Sequence, residues 1–247
     1  MIKSISINNS KIEYLSFNKE PFVILPLSIK SVLLNEEAIT TLFSKFSENF
    51  TVYLIDRIKE VPDNYTIENM AEDTFNVIKK LLSNCNIYAS QGMMTQYITI
   101  NHPEFVNSII LSTTYKTNEN AKKIFSERIE LAKQREEKQL IESFIENLYC
   151  EETIKKYDTI RESLRNITDN EYDKFIKLAT PLLDFDIEKE ITINCKKFVL
   201  SSDDKIFNTI KNLAEKLCNY VLYSNYGHAV YDEAPDFLDK IYSFLKD

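Results

Sequence analysis

Apolar runs of strand length alternate with stretches of helical period over roughly the first half of the chain, and this alternation constrains the fold more than any other feature. The expected strands are Ser4–Ile7, Lys11–Phe17, Phe22–Leu25, Val52–Ile55, Asn86–Ala89 and Ser108–Ser112. The run Phe22-Val23-Ile24-Leu25 is apolar without a break, as a strand must be when both faces of its sheet are covered. Between the strands, Glu36–Ser47 reads as a helix with Leu42, Phe43 and Phe46 on one face. Ile67–Leu82 repeats the pattern with Met70, Phe75, Ile78, Leu81 and Leu82. A third helix follows Ser90 and stops near His102-Pro103, because the residue before a proline avoids helical angles. Such strand–helix units predict an α/β fold with a mostly parallel sheet and helices on both faces.

From Thr117 to Leu183 the strand patterns disappear. Four charged helical patterns take their place: Ala121–Lys133, Glu137–Tyr149, Glu151–Leu164 and Asn170–Thr180. Thr168 and Glu171 have the spacing of a capping box. The alternation then returns, with strands Lys197–Ser201 and Tyr220–Ser224 and helices Phe207–Leu217 and Ala234–Leu245. The expected organisation is a core built from residues 1–116 and 184–247, with residues 117–183 inserted as a helical cap.

The composition removes several function classes. With 38 acidic against 30 basic side chains the formal charge is −8, whereas nucleic-acid binders show a basic face or stripe. No run approaches the roughly 20 apolar residues of a membrane span. The first residues alternate apolar and polar like a strand and lack the apolar core of a signal peptide. Cys85, Cys150, Cys195 and Cys218 form no CxxC pair and read as reduced thiols of a cytoplasmic protein. With 2 histidines in the whole chain, a zinc site is not expected. Gly92 and Gly227 are the 2 glycines present, which marks both as positions where the backbone itself requires the residue.

Ligand sites in open α/β sheets gather beyond the carboxyl ends of the strands. Three expected strand ends here carry reactive groups: Ser90-Gln91-Gly92, Ser202-Asp203-Asp204 and Asn225-Tyr226-Gly227-His228. The chain order Ser, Asp, His is that of hydrolases whose nucleophile sits on a sharp strand-to-helix turn. A serine hydroxyl needs a neutral imidazole to take its proton, and the imidazole needs a carboxylate to fix its tautomer and stabilise the imidazolium.

Over nearly its whole length the chain resembles bacterial proteins of the α/β-hydrolase fold. Tyr65-Thr66-Ile67-Glu68-Asn69-Met70-Ala71-Glu72-Asp73 is similar to the family's helix before the nucleophile strand. Asn101-His102-Pro103-Glu104-Phe105-Val106 with Ile109–Thr114 is similar to the segment after the elbow. Leu200–Asp204 resembles the acid loop, and Gly227-His228-Ala229-Val230 with Glu233-Ala234-Pro235 resembles the histidine loop. The resemblance implies a sheet of about eight strands. It also implies a serine hydrolase acting on a small ester, thioester or amide through an acyl-enzyme, with Ser90 as nucleophile, His228 as base and Asp204 or Asp203 as acid. It implies no cofactor and no metal, a small-molecule acyl substrate as partner, and an oligomeric state left open, a homodimer included. The backbone N–H groups of Gln91 and of Leu27 or Ser28 are the expected oxyanion donors.

Two departures open alternatives. The elbow reads Tyr88-Ala89-Ser90-Gln91-Gly92, with tyrosine where the family has glycine, and a gapless alignment of the following helix puts Ala89 at the nucleophile position. The family's His-Gly stretch is replaced by Pro26-Leu27-Ser28-Ile29. A catalytically degraded relative that binds a ligand or partner in the same pocket is therefore the second reading, and a lyase or cofactor-free oxygenase a third. His102, ahead of a proline, reads as structural; Met93-Met94 reads as core packing; Asp56-Arg57 reads as an exposed polar loop.

Overall fold

Strict alternation of side-chain direction sorts the apolar residues of the strands onto two sides of one sheet. The computed structural model describes residues 3–7, 10–16, 20–25, 36–89, 92–112, 117–155, 158–186, 195–202, 204–207 and 219–247. Its strands are β1 (Lys3–Ile7), β2 (Ser10–Ser16), β3 (Glu20–Leu25), β4 (Phe50–Ile55), β5 (Cys85–Ala89), β6 (Val106–Ser112), β7 (Lys196–Ser202) and β8 (Tyr220–Tyr223). They form one eight-stranded sheet in the order β1-β2-β4-β3-β5-β6-β7-β8. The hairpin β1–β2 and the pair β2–β4 are antiparallel, and every pairing from β4 through β8 is parallel.

Val23, Ile87, Ile109, Leu111 and Val199 belong to the core on one side of the sheet. Their neighbours Phe22, Ile24, Tyr88, Ile110, Phe198 and Leu200 belong to the core on the other. Helices α2 (Ile67–Leu81) and α3 (Gly92–Asn101) cover the first side, through Met70, Phe75, Ile78, Met93 and Ile98. A capping box starts α2: Asn69 N–H donates to the Thr66 hydroxyl and Thr66 N–H to Asn69 Oδ1, both at 3.1 Å. The second side is covered by Phe43 and Phe46, and by Phe237 and Ile241 of the helix Phe237–Lys246.

The described residues of 117–184 form helices joined by short turns: α4 (Glu119–Lys133), α5 (Glu137–Leu148), α6 (Glu151–Ile154), α7 (Asp158–Leu164), α8 (Asp169–Ala179) and a closing 3-10 turn, Thr180–Asp184. None of these described residues joins the sheet. The Thr168–Glu171 capping box forms as its spacing predicts, with Thr168 N–H donating to Glu171 Oε2 at 2.7 Å and Glu171 N–H to the Thr168 hydroxyl at 3.3 Å.

Three expected helices are corrected. Glu36–Ser47 is not one helix: α1 (Glu36–Leu42) gives way to a 3-10 turn, Ser44–Glu48. The tighter winding carries Phe43 and Phe46 into the core and leaves Leu42 at 54% exposure, off the face expected for it. Glu151–Leu164 is split into α6 and α7. Ala234–Leu245 starts late, because Pro235 separates α9 (Val230–Glu233) from α10 (Phe237–Lys246). The expected helix Phe207–Leu217 lies outside the described residues except for Phe207. Cys85 is buried, and Cys150 and Cys195 are half-buried free thiols; Cys218 lies outside the described residues. No described helix is long and apolar enough to cross a membrane.

Candidate active site

Chain order and sheet order diverge at β3. From β3 the chain moves to β4 on one flank and then returns to pair β5 on the other. Reversal of this kind opens a crevice at the carboxyl ends of the two strands. The pairs Ala89↔Leu111, Ser112↔Leu200 and Ser202↔Tyr223 bring the carboxyl ends of β5, β7 and β8 to one edge of the sheet. Ser90 and Gln91, between β5 and α3, lie outside the described residues, as do Leu27, Ser28 and Asp203.

At the same edge, Asp204 follows β7 and His228 follows β8. His228 Nδ1 lies 2.8 Å from Asp204 Oδ2, with side-chain exposures of 6% and 0%. The other carboxylate oxygen, Oδ1, accepts the Ile206 N–H at 2.7 Å, a local turn that fixes the carboxylate's orientation. With Nδ1 committed to Asp204, Nε2 is the ring nitrogen left to exchange a proton with a third group. The imidazole packs near the ring of Phe207, centroid to centroid 5.7 Å.

The histidine loop is pressed against the helical segment. Ala229 N–H donates to the Leu148 carbonyl at 2.8 Å. A Cβ on Gly227 would stand 2.5 Å from that same Leu148 oxygen and 2.8 Å from the Tyr149 carbonyl carbon, both backbone atoms. The glycine is required by this close approach rather than by its own dihedral angles, since no described glycine has a positive φ.

Arg128 of α4 was not flagged by sequence patterning. It is 1% exposed, stacks over Phe144 at 4.1 Å, and donates through Nη2 to the Ser143 carbonyl at 2.8 Å. Burial lowers its guanidinium pKa to about 9, while Glu127 and Asp204 pull it back up. The signal was present: Arg128 falls on the apolar stripe Ala121, Ile124, Phe125, Ile129, Ala132, where a charge is out of place.

Strand β5 carries Tyr88, 5% exposed. Its ring lies 6.0 Å from that of Phe237, and its hydroxyl is 3.3 Å from Ser112 Oγ. Burial pushes that hydroxyl far above its ordinary pKa. The Asp56-Arg57 loop, expected to be exposed, is half-buried beside Tyr65, Asp73 and Leu178. Desolvation lowers the Arg57 guanidinium to about 10, against the pull of Asp56. His102 has the structural place expected of it, with Nε2 2.9 Å from Glu72 Oε1 and its ring stacked on Phe75 at 3.5 Å. Met93 is buried in the core as expected. Among the described residues no cluster of three or more His, Cys, Asp or Glu side chains could hold a metal.

No family model matches the sequence. No curated protein matches it either. Solved structures do. An α/β hydrolase enzyme from a Medee basin deep-sea metagenome library superimposes with a TM-score of 0.85 at 19% identity, over 99% of this chain and 98% of that one. A hydrolase from Pseudomonas aeruginosa PA01 gives 0.81 at 17% identity, over 100% and 98%. The enol-lactonase from Burkholderia xenovorans LB400 gives 0.80 at 15% identity, over 99% and 100%. The protein has the α/β-hydrolase fold.

Proposed function

We propose that the protein is a serine hydrolase acting on a small ester, thioester or amide. The observation that carries this reading is the buried Asp204–His228 pair at the carboxyl edge of the sheet. Neighbours of the same fold include a hydrolase and an enol-lactonase, which fits.

In this reading Ser90, directly after β5, is the nucleophile. His228 Nε2 takes the serine proton as the hydroxyl attacks the acyl carbon, and Asp204 stabilises the imidazolium that forms. The imidazolium then returns the proton to the leaving group, and water releases the acyl-enzyme by the same two proton transfers. The N–H groups of Gln91 and of Leu27 or Ser28 stabilise the oxyanion. Residues 117–183 act as a cap that shapes the acyl pocket, and the reaction calls on no metal or organic cofactor. A soluble cytoplasmic protein is the setting we assign.

The test is labelling by a fluorophosphonate probe with mass mapping of the modified residue, beside a panel of short activated esters. The expected result is modification of Ser90 and slow turnover, both abolished in Ser90→Ala. Modification of a different serine overturns the nucleophile assignment. Absence of both labelling and turnover, with a small acyl acid still bound, replaces the hydrolase by a binding protein of the same fold.

A further inference from the structure

Glu233 ends the short helix α9 that follows His228, and its carboxylate joins two distant stretches of backbone. Oε2 accepts the Gly227 N–H at 2.6 Å, and Oε1 accepts the Cys150 N–H at 2.8 Å. Cys150, with Tyr149, links α5 to α6 in the helical segment. The same seam carries the Ala229–Leu148 backbone bond at 2.8 Å and a bond from the Tyr149 hydroxyl to Asp232 Oδ2 at 3.0 Å. His228 is therefore anchored through the residue before it and the residue after it, and both anchors run to the stretch Leu148–Cys150. Bonds to a charged acceptor are shorter and stronger than neutral ones, so the Glu233 clip is the firmest part of the seam.

We propose that Glu233 is a positioning residue: by clipping Gly227 to Cys150 it fixes the His228 imidazole against Asp204, so that the base is in register only while the helical segment is docked. The proposal rests on the reading of His228 as general base. Glu233 acts through the loop and not on the substrate, so its loss lowers the rate of the bound complex rather than the affinity. A misplacement of about 1 Å at a reacting group costs on the order of 100-fold.

The clip can be opened from either side. Glu233→Ala removes the acceptor. Cys150→Pro removes one donor with little backbone change, because Cys150 has φ −73° and Tyr149 before it has ψ 156°, values that proline and its predecessor adopt. Cys150→Ala keeps the N–H and is the reference for loss of the thiol. The readouts are kcat and KM on an activated ester, and the proton NMR signal of His228 Nδ1–H bonded to Asp204, which needs no turnover. Glu233→Ala is expected to lower kcat by roughly 100-fold with KM changed by less than about threefold. Cys150→Pro is expected to lower kcat about tenfold relative to Cys150→Ala, since one of two anchors on the carboxylate is lost. Both should broaden the Nδ1–H signal by exchange with water, and Glu233→Gln, which keeps one carbonyl acceptor, should recover part of the loss. Folded variants with unaltered kcat and an unaltered Nδ1–H signal overturn the proposal, whatever happens to Tm. If Glu233→Ala does not fold, Cys150→Pro against Cys150→Ala decides in the same way. If the wild-type protein neither turns over nor takes the probe, the hydrolase reading fails, and the NMR signal alone then supports or overturns the positioning role.

Discussion

The two ends of the site solve different problems. At the histidine end, residue types follow chemistry: a carboxylate with both oxygens bonded, an imidazole held through Nδ1, and a glycine where a backbone carbonyl comes too close for a side chain. At the end of β5 stands Tyr88, whose side chain is absorbed by the core against Phe237 and Ser112. A proton relay tolerates no substitute for its groups, whereas a turn that presents only backbone N–H groups can be rebuilt if the displaced volume finds a place to pack. The comparison teaches that a bulky residue near a strand end is compatible with an assembled Asp204–His228 pair when the core absorbs its side chain.

The largest expected effect tests the histidine end. Asp204→Asn should keep the fold but lower kcat on an activated ester by about four orders of magnitude, because an amide favours the wrong imidazole tautomer. A loss below about tenfold would erase the contrast between the two ends. Next comes the elbow: Tyr88→Ala should cost about 3–5 kcal/mol in chemical denaturation, the price of a large cavity in the core, while activity per folded molecule stays within a few-fold. If activity instead rises, the tyrosine crowds the turn and the two ends are not independent. Gly227→Ala should cost about 1–3 kcal/mol by pushing a Cβ against the Leu148 carbonyl, and should lower kcat as well, which separates it from Tyr88→Ala. The smallest effect is that of Tyr88→Phe, about 0.5–1.5 kcal/mol from loss of the bond to Ser112, with no change in kcat.

Much of this architecture is legible in the sequence because period and burial carry it. The run Phe22–Leu25 announces a strand covered on both sides, and the Thr168–Glu171 spacing announces the start of α8. Asp204 and His228 are legible because each lies within five residues after a strand whose end faces the same edge. What stays hidden depends on geometry that local pattern does not encode. Leu42 points outward because the chain switches from α to 3-10 winding just beyond it, a change of about half a residue per turn that periodicity over so short a stretch does not resolve. Arg57 is half-buried because the helical segment folds back over its loop, where Leu178 lines the same pocket. Glu233 belongs to a stretch that resembles a histidine loop, but its tie to Cys150, 83 residues away, is not encoded in any local pattern.

The second core has a consequence for how the chain is made. Phe22, Ile24, Tyr88 and Ile110 are synthesised early, yet the face they present is closed by Phe237, Ile241 and Phe244 of α10. Until that helix leaves the ribosome, Phe43 and Phe46 cover one part of that face, and the part that packs against Phe237 and Ile241 stays open. Partly finished sheets in this condition are prone to aggregate. The chain cannot reach a safe state domain by domain, as a string of independent modules would, and a premature stop just before Phe237 should yield inclusion bodies rather than a shortened soluble protein.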